Sequence, residues 1–220
     1  MIHLYHCVDA RSFRPLWVLE EMGLPYELTV LPFPPRVLAP EYKKVNPLGT
    51  IPLLLDGATR MTESAAIGHY LATRHGPSPL AVDVAEDDYG AFLNWTHFGE
   101  ATLTFPQTLV LRYARFEAPE RQSAQVAGDY QKWFLARLRA VEARMATRAH
   151  WCGDAFTAAD VSIGYALLLA EYLDLGEQYG AATRAYWHRL QERPAYRRAF
   201  AAERELARAQ GVSDRPSPLG

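Results

Sequence analysis

Three short stretches of this 220-residue chain place reactive or ligand-holding side chains at workable spacing. The first is Val45-Asn46-Pro47-Leu48-Gly49-Thr50-Ile51-Pro52. In its plain reading this is a turn leading into a strand. If the Ile51–Pro52 bond is cis, Ile51 turns its N–H and C=O outward, and an extended peptide-like ligand can pair with them as an added strand. Cis bonds make up about 5–6% of X–Pro bonds, so the residues alone leave both readings open. The second stretch is Thr62-Glu63-Ser64, ahead of the helical run Ala65 to His75. It reads either as an N-cap with an acid in the first turn, or as a site. In the second reading free N–H groups and the Ser64 hydroxyl hold a carboxylate while Glu63 holds an ammonium. A pocket for both charges suits an amino-acid head group. The third is Val8 to Arg14, where Ser12 begins a helix between Arg11 and Arg14. Ser12 is an N-cap or a hydroxyl donating to a thiolate. A free thiol has a pKa of about 8.5, and a helix N-terminus with nearby cations lowers it.

Other motifs are structural or missing. Thr157 and Asp160 fit an S/T-x-x-D capping box ahead of an apolar helix, and this box touches no chemistry. His97 falls in an aromatic-rich stripe, and His69 and His75 fall on the third helix, none with a partner at metal-ligand spacing. No metal site is expected. The two cysteines, Cys7 and Cys152, make neither a disulfide framework nor a C-x-x-C pair. No Ser-His-Asp set, P-loop or GxGxxG is present.

The elements that must position these residues change character near residue 77. Ile2 to His6 reads as a strand, Ser12 to Met22 as a helix stopped by Gly23, and Tyr26 to Leu31 as a second strand. Leu31 to Pro35 holds three prolines and is expected to be irregular, with a short helix over Pro40 to Lys44. Ile51 to Leu55 and Thr59 to Thr62 flank an Asp56-Gly57 hairpin turn, and a third helix covers Glu63 to His75. This order, β-α-β-α-β-β-α, predicts one mixed four-stranded sheet with helices on both faces, an α/β thioredoxin-like domain over 1–76. A linker is expected over 77–86, an all-α helical bundle domain over 87–208 and a tail over 209–220. In the bundle, a long helix from Val84 to Arg115 is kinked at Pro106. Pro119 opens another with a stripe of Tyr130, Trp133, Phe134, Leu138, Val141 and Met145. Val161 to Leu175 is apolar nearly all round and predicts the buried central helix. Two more helices cover Ala181 to Glu192 and Pro194 to Ala209.

Composition sets the outer bounds. Apolar residues make up 49%, enough for a packed core. With 23 basic and 25 acidic side chains the net charge is −2, so nothing favours nucleic acid. The longest apolar runs fall far short of a membrane span. The N-terminus carries no charged and apolar leader pattern, and the cytoplasm is the expected compartment.

Taken in order, these motifs resemble the cytosolic glutathione transferase superfamily over residues 1–205. The resemblance rests on Leu4-Tyr5 with Ser12-Phe13-Arg14-Pro15-Leu16-Trp17-Val18-Leu19-Glu20-Glu21, on Asn46 to Pro52, on Glu63-Ser64 and on Thr157-Ala158-Ala159-Asp160. It implies that Ile51, behind a cis Pro52, pairs with the cysteinyl part of glutathione, with Thr50 beside it. It implies that Glu63 and Ser64 hold the γ-glutamyl end, and that Glu100, Phe105 and Tyr113 line the acceptor pocket. It also implies a homodimer. Glutathione is then the cosubstrate, activated as a thiolate for attack on a small hydrophobic electrophile, with peroxide reduction, isomerisation and dehalogenation as related activities. The thiolate position departs from the pattern. Many microbial members of that superfamily read Ser-Arg-Ser and other bacterial members use a cysteine close by, whereas this chain reads Ala10-Arg11-Ser12. Ser12 is the preferred catalytic residue and Arg11 its rival, with Cys7, Tyr5 and bare backbone donors also open. Because the first serine is missing, a non-catalytic glutathione- or ligand-binding module is the second reading. The absent C-x-x-C argues against a dithiol oxidoreductase.

Overall fold

The computed structural model describes residues 1–217. Residues 218–220, the end of the expected tail, lie outside the described residues. The chain divides into two compact units, Met1–Ser78 together with the residues from Glu192 on, and Pro79–Gln191.

The first unit is built on strands β1 (Ile2–His6), β2 (Tyr26–Val30), β3 (Leu53–Asp56) and β4 (Thr59–Met61). Their order is β2-β1-β3-β4, parallel between β1 and β2 and antiparallel elsewhere. This is the expected mixed thioredoxin-like sheet. β3 starts at Leu53 rather than Ile51, because Pro52 has no N–H for the ladder. Helix α1 (Phe13–Met22) ends at Gly23, whose φ of 61° supplies the left-handed C-cap. The proline-rich stretch is more regular than expected. Pro35 opens a one-turn helix, α2 (Pro35–Leu38), where a missing N–H costs nothing, and a 3₁₀ turn covers Pro40–Lys44. Helix α3 (Ser64–Arg74) follows β4. The last helix, α9 (Pro194–Ala209), belongs to this same unit and packs on α1 and β2. Tyr196 meets Trp17 and Phe13 edge-on at 5.0 and 5.5 Å, and Arg193 grips Glu21 through two bonds of 2.6 and 2.9 Å. Residues Phe13 to Leu19 of α1 are consequently all buried.

The second unit is helical: α4 (Tyr89–His97), α5 (Phe105–Leu111), α6 (Ala124–Met145), α7 (Ala158–Tyr172) and α8 (Ala181–Glu192). The expected single helix from Val84 to Arg115 starts only at Tyr89 and carries two π segments, Phe98–Thr104 and Arg112–Phe116. Pro106 thus falls at the start of α5, where its missing donor is tolerated, instead of interrupting a regular helix. α7 is buried from Ala158 to Ala170, as its all-round apolar pattern predicts. It approaches the first π segment so closely that a Cβ on Gly99 would lie 2.8 Å from the Ser162 carbonyl oxygen. Trp133 does not join the stripe of α6. It is 50% exposed, with the Arg137 guanidinium 3.9 Å from the centre of its ring, while Phe134, one position on, turns about 100° into the core.

Candidate functional site

The strand register brings the singled-out residues of the first unit to one edge of the sheet. Tyr5 pairs with Leu53, so Ile51 lies two residues further on, beside the C-terminal end of β1. Met61 pairs with Leu54, so β4 exits and α3 begins at that same edge. β2, parallel to β1, also ends there, as does the Val8–Ser12 turn into α1. Two helix N-termini therefore open onto one edge, an arrangement that favours anions.

The loop into β3 is held from behind. Tyr42 Oη and Asn46 Nδ2 both donate to the Thr50 carbonyl, at 2.9 and 2.8 Å. The Thr50 side chain is exposed, and Gly49 turns the chain with φ of 61°. The Ile51–Pro52 bond is cis. Ile51 itself is half-buried, lies outside every strand, and its backbone makes no hydrogen bond among the described residues.

Glu63 is the N-cap of α3, in extended conformation, and its exposed side chain makes no capping bond. Ser64 is buried, and its Oγ accepts a 3.0 Å bond from Nη1 of Arg14. A hydroxyl that accepts from a guanidinium keeps its own proton for another acceptor. Arg14 is the site residue whose role sequence reasoning missed. It stands 50 residues from Ser64, and only 1% of it is exposed. One signal was present: a cation in the first turn of a helix opposes the helix dipole and so asks for a specific partner.

The Val8–Ser12 turn distributes its groups differently from expectation. Ser12 is fully buried and occupies the N-cap position of α1 without a side-chain capping bond. Its Oγ accepts from the Cys7 N–H at 3.2 Å and donates to the Cys7 carbonyl at 3.4 Å. Cys7 is fully buried, and burial pushes its thiol well above the ordinary range, so it is no thiolate near neutrality. Tyr5 packs in an aromatic row, stacked on His3 at 4.3 Å and tilted against Tyr42 at 5.4 Å. Asp9, Ala10 and Arg11 are the half-exposed positions of the turn.

The remaining singled-out residues lie in the helical unit. Glu100 is in the first π segment, Phe105 opens α5 and is 53% exposed, and Tyr113 is in the second π segment with Arg112 over its ring at 5.5 Å. Thr157 caps α7 by accepting from the Ala159 N–H at 3.3 Å. The Asp160 carboxylate accepts from the Thr157 N–H (3.0 Å), the Trp151 N–H (3.3 Å) and Tyr186 Oη (2.9 Å). Among the described residues no three His, Cys, Asp or Glu side chains are grouped to hold a metal, and no helix is long and apolar enough to cross a membrane.

Comparison with known proteins agrees with this geometry. A family model described as the glutathione S-transferase N-terminal domain matches residues 10–74. Glutathione S-transferase 4 of Zea mays is 31% identical, over 83% of this chain and 83% of its own length. Glutathione S-transferase 3 of Schizosaccharomyces pombe is 29% identical, over 93% of this chain and 88% of its own. Among solved structures, a sphingomonad glutathione S-transferase complexed with glutathione superposes with a TM-score of 0.79 at 26% identity, covering 91% of this chain and 98% of that one.

Proposed function

Because this chain belongs to the glutathione S-transferase family, we propose that it is a glutathione transferase that binds the tripeptide at the sheet edge and directs its sulfur at a small apolar electrophile. The observation that carries this reading is the joining of α1 to α3 by the Arg14–Ser64 bond, beside the unpaired backbone of Ile51. Together they match an extended ligand with an amino-acid head. Ile51 pairs with the cysteinyl backbone, next to Thr50 and Pro52. Ser64, steered by Arg14, donates to the γ-glutamyl carboxylate, and Glu63 takes the ammonium.

The protein supplies no nucleophile of its own. The thiol loses its proton to solvent, the thiolate forms a bond to the electrophilic carbon, and the acceptor's leaving group or π electrons take up the electron pair. At pH 7 a thiol of pKa about 8.5 is about 3% ionised, and a site that lowers it by two units makes it about 75% ionised, a gain of about 25-fold. Of the two candidates at the turn, Arg11 suits the sulfur better. It is half-exposed, whereas the buried Ser12 hydroxyl holds the Cys7 backbone. Glu100, Phe105 and Tyr113 are proposed to line the acceptor-binding surface of the helical unit. The family relationship also supports a homodimer in the cytoplasm.

The direct test measures glutathione binding by calorimetry, thiolate absorbance against pH, and turnover over a panel of aryl halides, epoxides, enals and hydroperoxides. Binding with a lowered thiol pKa and turnover is the expected result. One observation favours a second reading. Ala10 has no hydroxyl and the Ser12 hydroxyl bonds the Cys7 backbone, which suits a glutathione-binding module without catalysis. Binding with an unshifted thiol and no turnover is the outcome that selects it.

A further inference from the structure

Behind the Val8–Ser12 turn lies a buried charged cluster that none of the roles above employs. His6 ends β1, Asp9 sits in the turn, and Glu203 and Arg204 come from α9, 194 residues further along the chain. Glu203 is fully buried; its Oε2 shares a 2.7 Å hydrogen bond with His6 Nε2 and accepts from the Asp9 N–H at 3.1 Å. Arg204 donates to Glu203 Oε1 and, at 2.6 Å, to Asp9 Oδ2, while its guanidinium lies 3.3 Å from the centre of the Phe200 ring. Asp9 adopts φ of 51°, a left-handed conformation that few non-glycine residues take. A backbone bond and a side-chain bond, both from α9, thus clamp the one left-handed residue of the turn.

We propose that Glu203 is a positioning residue of the thiolate site: by holding Asp9 from α9 it fixes the turn that aims Arg11 and the N-terminus of α1 at the glutathione sulfur. The inference rests on the transferase reading. Two features make the clamp more than an anchor for α9. It seizes the turn within two residues of Arg11, whereas Arg193–Glu21 and Arg198–Glu20 already fasten α9 to the far end of α1. Its charge is also compensated on the spot. Burial pushes the Asp9 and Glu203 carboxyls up to about 7 and the His6 imidazole down to about 3, and Arg204 faces both carboxyls. Two bare carboxylates beside a thiolate would oppose its formation. Here they hold the turn while adding little negative charge.

The test compares wild-type protein with Glu203→Ala, Glu203→Gln and Arg204→Met, reading the thiolate absorbance of bound glutathione against pH. The second readout is the pH profile of kcat/KM. Glu203→Ala is expected to raise the thiol pKa by about one unit, a tenfold loss of thiolate at fixed pH. The alkaline shift of kcat/KM should match, while KM for glutathione changes less than about threefold. Glu203→Gln keeps an acceptor for the Asp9 N–H and recovers about half of the shift. If Glu203→Ala does not fold, the Gln and Met variants carry the measurement, since both keep the side-chain volume. A lowered thiol pKa in wild type that is unchanged in folded Glu203 and Arg204 variants overturns this inference alone. A wild-type thiol at its ordinary value overturns the transferase reading and this inference with it.

Discussion

Glu63→Gln isolates the ammonium subsite. The side chain is exposed and makes no bond to its own helix, so its carboxylate acts on α3 only through the solvent-screened helix dipole. The capping geometry belongs to the backbone, where the Glu63 carbonyl accepts from the Ile67 N–H at 2.8 Å, and glutamine preserves it. Thermal stability should change by less than about 0.5 kcal/mol. All of the effect then falls on the ligand. A hydrogen bond to a charged group contributes about 1.5–3 kcal/mol when shielded, and exposure here brings the expectation to about 1–2 kcal/mol. That is about 5- to 30-fold in KM for glutathione, with kcat unchanged, because the ammonium is equally bound in ground and transition states. The assay is steady-state conjugation with glutathione varied at saturating electrophile, repeated with an analogue whose γ-glutamyl ammonium is replaced by hydrogen. Wild type and variant should bind that analogue alike. High salt should narrow the difference for glutathione itself. A KM within twofold of wild type, or a loss confined to kcat, refutes the assignment. So does a variant that still discriminates against the analogue as strongly as wild type.

Arg11→Met should raise the bound thiol's pKa by about one unit. Ser12→Ala should mainly lower stability, by about 1 kcal/mol, for the lost bonds to Cys7; an equal thiol shift in both variants would restore Ser12 to the sulfur. Gly99→Ala drives a methyl into the Ser162 backbone and should destabilise the helical unit by about 1–3 kcal/mol in urea unfolding. As pH rises from 6.5 to 8, stability should fall by about 1 kcal/mol. The carboxyls of Asp9 and Glu203 are raised to about 7, so what they contribute is complete at low pH and lost on passing 7, while His6, lowered to about 3, keeps its contribution above about 6.5. Urea midpoints across that range check this, and Glu203→Gln should flatten the slope.

Elements whose signals are local were legible in the sequence. α8 and α9 fall on Ala181–Glu192 and Pro194–Ala209, where the helical period and the proline between them put them. The Asp56-Gly57 hairpin and the Thr157–Asp160 cap also depend on residues within four positions of each other. The first π segment was not legible, because it goes with a close approach between Gly99 and Ser162, 63 residues apart. The candidate site divides along the same line. Ile51, Glu63 and Ser64 could be picked out by motif, but the Arg14–Ser64 bond joins two helices with three strands between them in the chain. Equally, the sequence leaves the Ser12 hydroxyl as a cap or a thiolate donor, and its bonds to the Cys7 N–H and carbonyl depend on how the turn folds back, which no local pattern encodes.

The two cysteines bear on where the working sulfur comes from. Both are buried, and burial raises both thiols, Cys152 to about 11 and Cys7 further. A thiol at 11 is about 0.01% ionised at pH 7, some hundreds of times less than a free thiol of pKa about 8.5. Neither side chain can therefore form a mixed disulfide or attack an electrophile at a useful rate. The thioredoxin-like sheet edge keeps its helix N-termini and its cis proline but presents no protein thiolate to them. An anion site of that kind stabilises whatever thiolate is brought to it, so the sulfur must come with a ligand that the neighbouring groups can hold. In the proposed binding mode Ile51, Glu63 and the Arg14-steered Ser64 take its peptide backbone, ammonium and carboxylate, and the cysteinyl side chain is the part left to face the Val8–Ser12 turn.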